Sequence, residues 1–309
     1  MPVFRITLFF SFLLCFQAAA QSDKSGKLRT STNKGASIEL PRLSNTTLRS
    51  NTPEKQGAYE FATRRDVDLT PFNSGQWVKK SSSWEWSIKI HSPGAISLNL
   101  GFTEYQLPES SSLTIKNETG RTIGPFTKSD NKDHLQLWTP NLDGDQIVLT
   151  LTVPENQIEN VKLKLSAVNH GFRRPELRSG DCNVDIACGI DGTLPLINQF
   201  EEQSRSVALV QVNGILLCSG FLINNTQNNF EPYFVTAAHC NITAQNEART
   251  VFFWNYQNSE CRQPNSVESG LNGDGTFDQF TSGATVVSCL LYTSPSPRDA
   301  TLSRMPSSA

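Results

Sequence analysis

Charge is scarce in this chain, and the short motifs that hold metals are missing. Charged residues make up 18% of its 309 positions and the net charge is −2. That balance points neither to nucleic acid nor to an anionic membrane surface as a partner. There is no CxxC pair and no HExxH, so neither a metal site nor a metal cofactor is expected. No GDSGG-like or GxSxG stretch presents a nucleophilic serine. No apolar stripe with helical spacing runs for any length. The composition is that of a globular chain, and the length suggests about two domains.

The most apolar stretch is "MPVFRITLFFSFLLCFQAAA", residues 1–20. Arg5 supplies a positive start, Ile6 to Phe16 an apolar run, and Ala18 to Ala20 a small-residue cleavage site. This reads as a secretory signal peptide with Gln21 as the new terminus, and the run is too short for a stable membrane span. Cys15 leaves with it. Export to an oxidising compartment means that the remaining cysteines should pair. Cys182, Cys188, Cys218, Cys240 and Cys261 cluster in the second half, and Cys289 stands apart.

The last stretch, "CLLYTSPSPRDATLSRMPSSA", differs in character from the rest. TGT-CTC-TTA-TAC-ACA-TCT encodes CLLYTS, and CCG-AGC-CCA-CGA-GAC encodes PSPRD. Those bases resemble a transposase sequencing adapter, and SRMPSSA resembles the flow-cell primer that follows the sample index. Cys289 to Ala309 is therefore expected to be translated adapter, with the native sequence continuing after Ser288. That leaves five genuine cysteines, one of them without a partner in the chain.

Residues 21–70 are polar and are read as a leader. Period-two patterns then sharpen. Trp84, Trp86, Ile88 and Ile90 alternate with polar residues, as do Ile96, Leu98, Leu100 and Phe102. So do Ile147, Leu149, Leu151 and Val153, and Val161, Leu163, Leu165 and Ala167. Such alternation implies half-buried strands, and the turn signals between them imply an antiparallel β-sandwich over 71–178. The basic stretch "HGFRRPELRSGDC" follows, and Arg173, Arg174 and Arg178 make it an attractive proteolytic boundary. From 179 the pattern stays β. "SVALVQV" and "ILLCSGFLI" flank Asn213-Gly214, a strong hairpin signal, and "YFVTA" and "TVFFWNY" add two strands. Residues 179–288 look like the first half of a small closed β-barrel. Of the histidines, His91 and His134 are expected on surface strands, and His170 lies near the linker.

One stretch carries chemistry. "CSGFLINNTQNNFEPYFVTAAHC", Cys218 to Cys240, resembles the CxGxLINN…YFLTAxHC segment of lysyl endopeptidase-like secreted serine proteases, a branch of the trypsin-like superfamily. "FFWNYQNSECRQPN" and "SGLNGDGTFDQFTSGATV" are similar to the segments that follow in that family, and "CNVDIACG" to its mature N-terminal region. "SPGAISLNLGF", "LWTPNLDGDQIVL" and "VNHGFR" resemble the domain that precedes the protease. The resemblance runs from about Gly75 to Ser288.

This resemblance implies an all-β architecture: a β-sandwich pro-domain, then the first half of a trypsin-like double β-barrel. It implies an exported serine endopeptidase precursor acting on protein or peptide substrates after Lys or Arg. His239 would be the general base that takes the proton of a serine hydroxyl. It also implies Cys218–Cys240 and Cys188–Cys261 bridges, with Cys182 left unpaired by truncation. The chain departs from the family in one respect. Ser219 sits within a strand, Ser282 precedes the family's aspartate, Asp274 reads as a turn residue, and Asp278 has no apolar strand around it. The triad's Asp and Ser, the oxyanion hole and the residues that choose Lys or Arg would all follow Ser288. The 309-residue chain itself is then expected to be inactive. The competing reading is a non-catalytic secreted binding or adhesion protein whose protease-like part has degenerated.

Overall fold

The structure, a computed structural model, describes residues 36–52, 59–174, 184–189, 195–269 and 273–288. All of them lie in one compact unit, 33–309. The expected signal peptide 1–20, Arg178, Cys182 and the tail 289–309 lie outside the described residues.

The chain is all-β. The N-terminal part supplies β1 (Ser37–Glu39), helix α1 (Asn45–Asn51), β2 (Tyr59–Glu60), β3 (Ala62–Leu69), β4 (Gln76–Lys79) and β5 (Ser83–His91). It continues with β6 (Ser97–Gln106), β7 (Ser112–Asn117), β8 (Thr122–Phe126), β9 (Leu137–Trp138), β10 (Leu142–Asp143), β11 (Gln146–Pro154) and β12 (Lys162–Gly171). The C-terminal part holds two short helices, α2 (Leu196–Gln199) and α3 (Glu201–Arg205). Strands β13 (Val207–Val212), β14 (Leu216–Ile223), β15 (Tyr233–Thr236), β16 (Thr250–Trp254) and β17 (Phe280–Ser282) follow.

Three sheets result among the described residues. The first runs β1-β5-β11-β7-β8 with β4 beside β5, the second β10-β6-β12-β3 with β9 beside β6. All pairings are antiparallel except β1 with β5. The alternating side chains explain the packing. Ile88, Ile90, Leu149 and Leu151 from the first sheet meet Leu98, Leu100, Phe102 and Leu165 from the second, all at most 2% exposed. Burying each such side chain contributes about 1.5–3 kcal/mol. This is the sandwich that the alternation implied.

The second sheet is buried on both faces, which simple alternation does not reveal. The residues of β6 and β12 that point away from the sandwich are small or polar: Asn99, Gly101, Ala167 and Asn169. Ala167 was expected on the core face with Leu163 and Leu165, but a bulge between Leu165 and Ala167 turns it to the outer face and gives its core place to Val168. A third sheet covers that outer face. It runs β15-β14-β13-β16-β17, with β2 beside β14. Val251 and Phe253 of β16 pack with Trp138 and Ala167, while Ala208, Val210, Val212 and Phe252 form a cluster on its other face. This sheet stays open: among the described residues its end strands, β15 and β17, do not pair with each other.

The polar stretch 21–70 supplies β1, α1, β2 and β3. Ser44 caps α1, its side chain accepting from Thr47 N at 3.3 Å. Within α1, Asn45 holds the end of β12: its Oδ1 lies 2.9 Å from His170 Nε2, and its Nδ2 donates to Gly94 O at 2.7 Å. His170 is fully buried, with Nδ1 2.8 Å from Ser92 Oγ. His134 lies in a turn, not on a strand.

Candidate active site

His239 owes its position to three local features. The first is the Asn213–Gly214 turn. Both residues have positive φ, 54° and 72°, the pair of values a type I′ turn needs, and Ile215 N closes the turn on Val212 O at 3.1 Å; the expected two-residue loop is three residues long, since Val212 pairs with Leu216. The second is Gly220 on β14. A Cβ there would meet Val235 O at 2.3 Å and the Phe234 ring at 2.4 Å, so only glycine lets β15 lie this close. The third is the 3-10 turn Ala238–Cys240 at the end of β15. Asn241 closes it in the left-handed region, φ 57°, with its N–H on Ala238 O. Thr236 fastens the strand end, its Oγ1 donating to Ser219 O at 2.7 Å.

A disulfide locks the same turn. Cys218 on β14 is bonded to Cys240, with Cα atoms 5.9 Å apart. The bridge is buried at Cys240, while His239 beside it is exposed. The His239 ring nitrogen and the two sulfurs lie within 4.8 Å of one another. With both sulfurs in the disulfide, the trio offers a metal ion a single nitrogen, too little for a structural centre.

The imidazole faces a recess of about 800 Å³, lined among others by Tyr59, Leu209, Leu217, Ser219 and Tyr256. Among the described residues no serine hydroxyl and no carboxylate hydrogen-bonds the His239 ring. Ser219 carries the carbonyl that Thr236 holds. Ser282 Oγ accepts from Trp138 N at 3.2 Å, a structural role. Asp274 is hydrogen-bonded by the Ser259 side chain and by Ser259 N at 2.9 Å, and those bonds hold its carboxyl below the usual range. Asp278 pairs with Arg121 at 3.0 Å.

One charged feature was not legible in the sequence. Asp185 accepts from Arg262 Nε at 2.8 Å and Nη2 at 3.0 Å, and from Asn258 Nδ2 at 2.7 Å. The Arg262 guanidinium holds the Asp185 carboxyl below the ordinary range, and Asp185 raises Arg262 in return. The pair spans 77 residues of sequence, so no local pattern announces it. Both side chains reach the wall of the recess. Beside them Cys188 is bonded to Cys261, Cα atoms 4.6 Å apart.

Comparison with known proteins then bears on this geometry. The family model described as the lysyl endopeptidase C-terminal domain matches residues 177–309. A lysyl endopeptidase of Pseudomonas aeruginosa is 24% identical over 226 residues, covering 68% of this chain and 48% of that protein. The second half of this chain is thus related to the lysyl endopeptidase C-terminal domain, and the chain is protease-like at that level. It spans about half the length of the relative it matches. No helix among the described residues is long and apolar enough to cross a membrane.

Proposed function

We propose that this chain is the His239-bearing portion of an exported serine endopeptidase precursor. Residues 1–20 are its signal peptide, and the leader expected over 21–70 contributes β1 and β3 to the β-sandwich pro-domain that runs on to 178. Residues 179–288 are the first part of the protease domain. Residues 289–309 are translated adapter. The substrate is a protein or peptide, cleaved after Lys or Arg. The observation that carries this reading is His239, exposed at the mouth of an open recess on a turn that a disulfide holds rigid. A general base needs that combination. The imidazole must reach a substrate-bound nucleophile yet keep one orientation. The relationship of residues 177–309 to the lysyl endopeptidase C-terminal domain supports a peptidase, and the resemblance of Cys218–Cys240 to lysyl endopeptidase-like serine proteases makes a serine the nucleophile.

On this reading the 309-residue chain is inactive, because it lacks the triad's aspartate and serine and the oxyanion hole. Cys182 pairs with a cysteine encoded after Ser288. The matched family range runs through Cys289–Ala309, so the adapter assignment needs its own check. Sequencing the gene outward from the codon for Ser288 provides it. An aspartate ending an apolar strand, a GxSG-type loop and one further cysteine are expected. A native stop codon soon after Ser288, or a continuation without the serine loop, overturns the reading and leaves a non-catalytic binding protein.

A further inference from the structure

We propose that the N-terminal sandwich is a built receptor for the β13–β14 hairpin, and that it holds the C-terminal half non-covalently once the chain between them is cut. The inference does not depend on what His239 does.

A line of buried amides crosses the junction. Asn99 and Asn169 project from the outer face of the second sheet and are at most 1% exposed. Asn169 Nδ2 donates to Asn99 Oδ1 at 2.8 Å. Asn99 Nδ2 donates to Gly214 O, the tip of the hairpin, at 2.9 Å and to Asn141 Oδ1 at 2.8 Å. Asn141 Nδ2 passes the line to Gln211 Oε1 of β13 at 2.9 Å, and Gln211 Nε2 returns to Thr139 O at 3.1 Å. Gln211 is fully buried. Every amide atom of the line except Asn169 Oδ1 meets a partner among the described residues, and buried amides matched in this way fix one register and reject loose contact.

The tip fits without slack. A Cβ on Gly214 would stand 2.1 Å from Asn169 Nδ2 and 2.3 Å from Asn99 Oδ1. The hairpin's edge is also met. Strand β2 pairs Tyr59 with Leu217 and Glu60 with Leu216, and Phe61 N donates to Ile215 O at 3.0 Å. Apolar contacts flank both features. Trp138 packs with Val251, Phe253 and Phe277, and Phe61 packs with Leu217. The sandwich meanwhile ends itself. Arg173 donates to the carbonyls of Glu60 at 3.1 Å and Thr52 at 2.5 Å, so Phe172 and Arg173 stay fixed without chain beyond them. Both disulfides lie within the C-terminal half, so no covalent bridge between described residues duplicates the contact. Tyr59, at the end of the donated strand, also lines the recess beside His239. Departure of the sandwich would remove it from there.

The test uses the whole chain with a site-specific protease sequence placed between Arg174 and Cys182. After complete cleavage the two fragments should elute together as a 1:1 particle at micromolar concentration without denaturant. The Phe61 amide should keep the hydrogen-exchange protection it has in the uncut chain. Gly214→Val should release the fragments, weakening their association at least a hundredfold. Asn99→Ala, which puts no strain on the turn but removes the bond to Gly214 O, should weaken it about tenfold and guards against a Gly214→Val variant that fails to fold. Wild-type fragments that separate on cleavage, or a Phe61 amide that exchanges as fast as an exposed loop, would overturn the proposal.

Discussion

The two halves of this molecule hold together by different means. The sandwich closes a core of 25 buried residues among those described, shared between two sheets. The C-terminal half has one open sheet, whose main cluster counts four fully or nearly buried residues. It makes up the difference with two disulfides, the Asp185–Arg262 ion pair and the sandwich itself as a backing layer. It also leaves Val207, Phe221 and Ile223 between 44% and 49% exposed. A sheet that cannot bury both faces alone needs covalent staples or a partner. This one uses both.

Removing a staple should widen the contrast most. The Cys188–Cys261 bridge closes a separation of 73 residues, for which chain-entropy arguments give roughly 4 kcal/mol. Replacing both cysteines with serine should lower hydrogen-exchange protection across β13–β16 while β5 and β11 stay protected. Equal loss in both halves would mean that they unfold as one unit and that the contrast is false.

A cavity in the sandwich should cost almost as much. Leu149 is fully buried, and Leu149→Ala should lower stability by about 2–5 kcal/mol in urea unfolding.

Acid should then weaken the sandwich before the C-terminal half. Burial holds the His170 imidazole down to about 4, and Arg65 adds to the effect. An unfolded histidine titrates near 6.5, so at pH values between the two the unfolded chain binds the extra proton. The stability that neutral His170 contributes is complete above about pH 6.5 and is lost as pH falls towards 4, by up to roughly 3 kcal/mol. Asp145 faces His170 and opposes the shift. Urea unfolding followed from pH 7 to pH 4 should show this slope, and His170→Gln should flatten it.

The smallest effect belongs to the open face. Phe221→Ser together with Ile223→Ser should change stability by less than about 1 kcal/mol, because both side chains are half exposed. Light scattering should nonetheless show less aggregation, since an exposed apolar patch is what drives it.

The sandwich was legible because its strands obey the period of two. Ile88, Leu149 and Leu163 all fall on the face that the alternation assigned to the core. What alternation could not show was the fate of the opposite face. In β6, Asn99 and Gly101 look like ordinary solvent-facing residues, yet the Gly214 turn covers the first and the Trp138 ring the second. Small and amide side chains serve equally in water or at a tight, satisfied contact, so composition cannot tell the two apart. The strands in residues 21–70 were hidden for a related reason. In β3, "ATRRDVDL", polar residues outnumber apolar ones, and pairing with β12 supplies the order that local propensity does not. His170 shows the same limit in reverse, a titratable residue wholly buried because Ser92 and Asn45 meet its two nitrogens. At the candidate site, the position of His239 came from a string of neighbouring residues, whereas Asp185 and Arg262 meet across a separation that no local pattern spans.

His239 is proposed to act as general base for a serine encoded beyond Ser288. The most direct measurement is fluorophosphonate labelling of the protein extended with its recovered native sequence. The extended protein should label at one serine, the 309-residue chain should not label, and His239→Ala in the extended protein should slow labelling by at least about ten-thousand-fold. Labelling that survives the loss of His239, or an extended protein with no reactive serine, would contradict it.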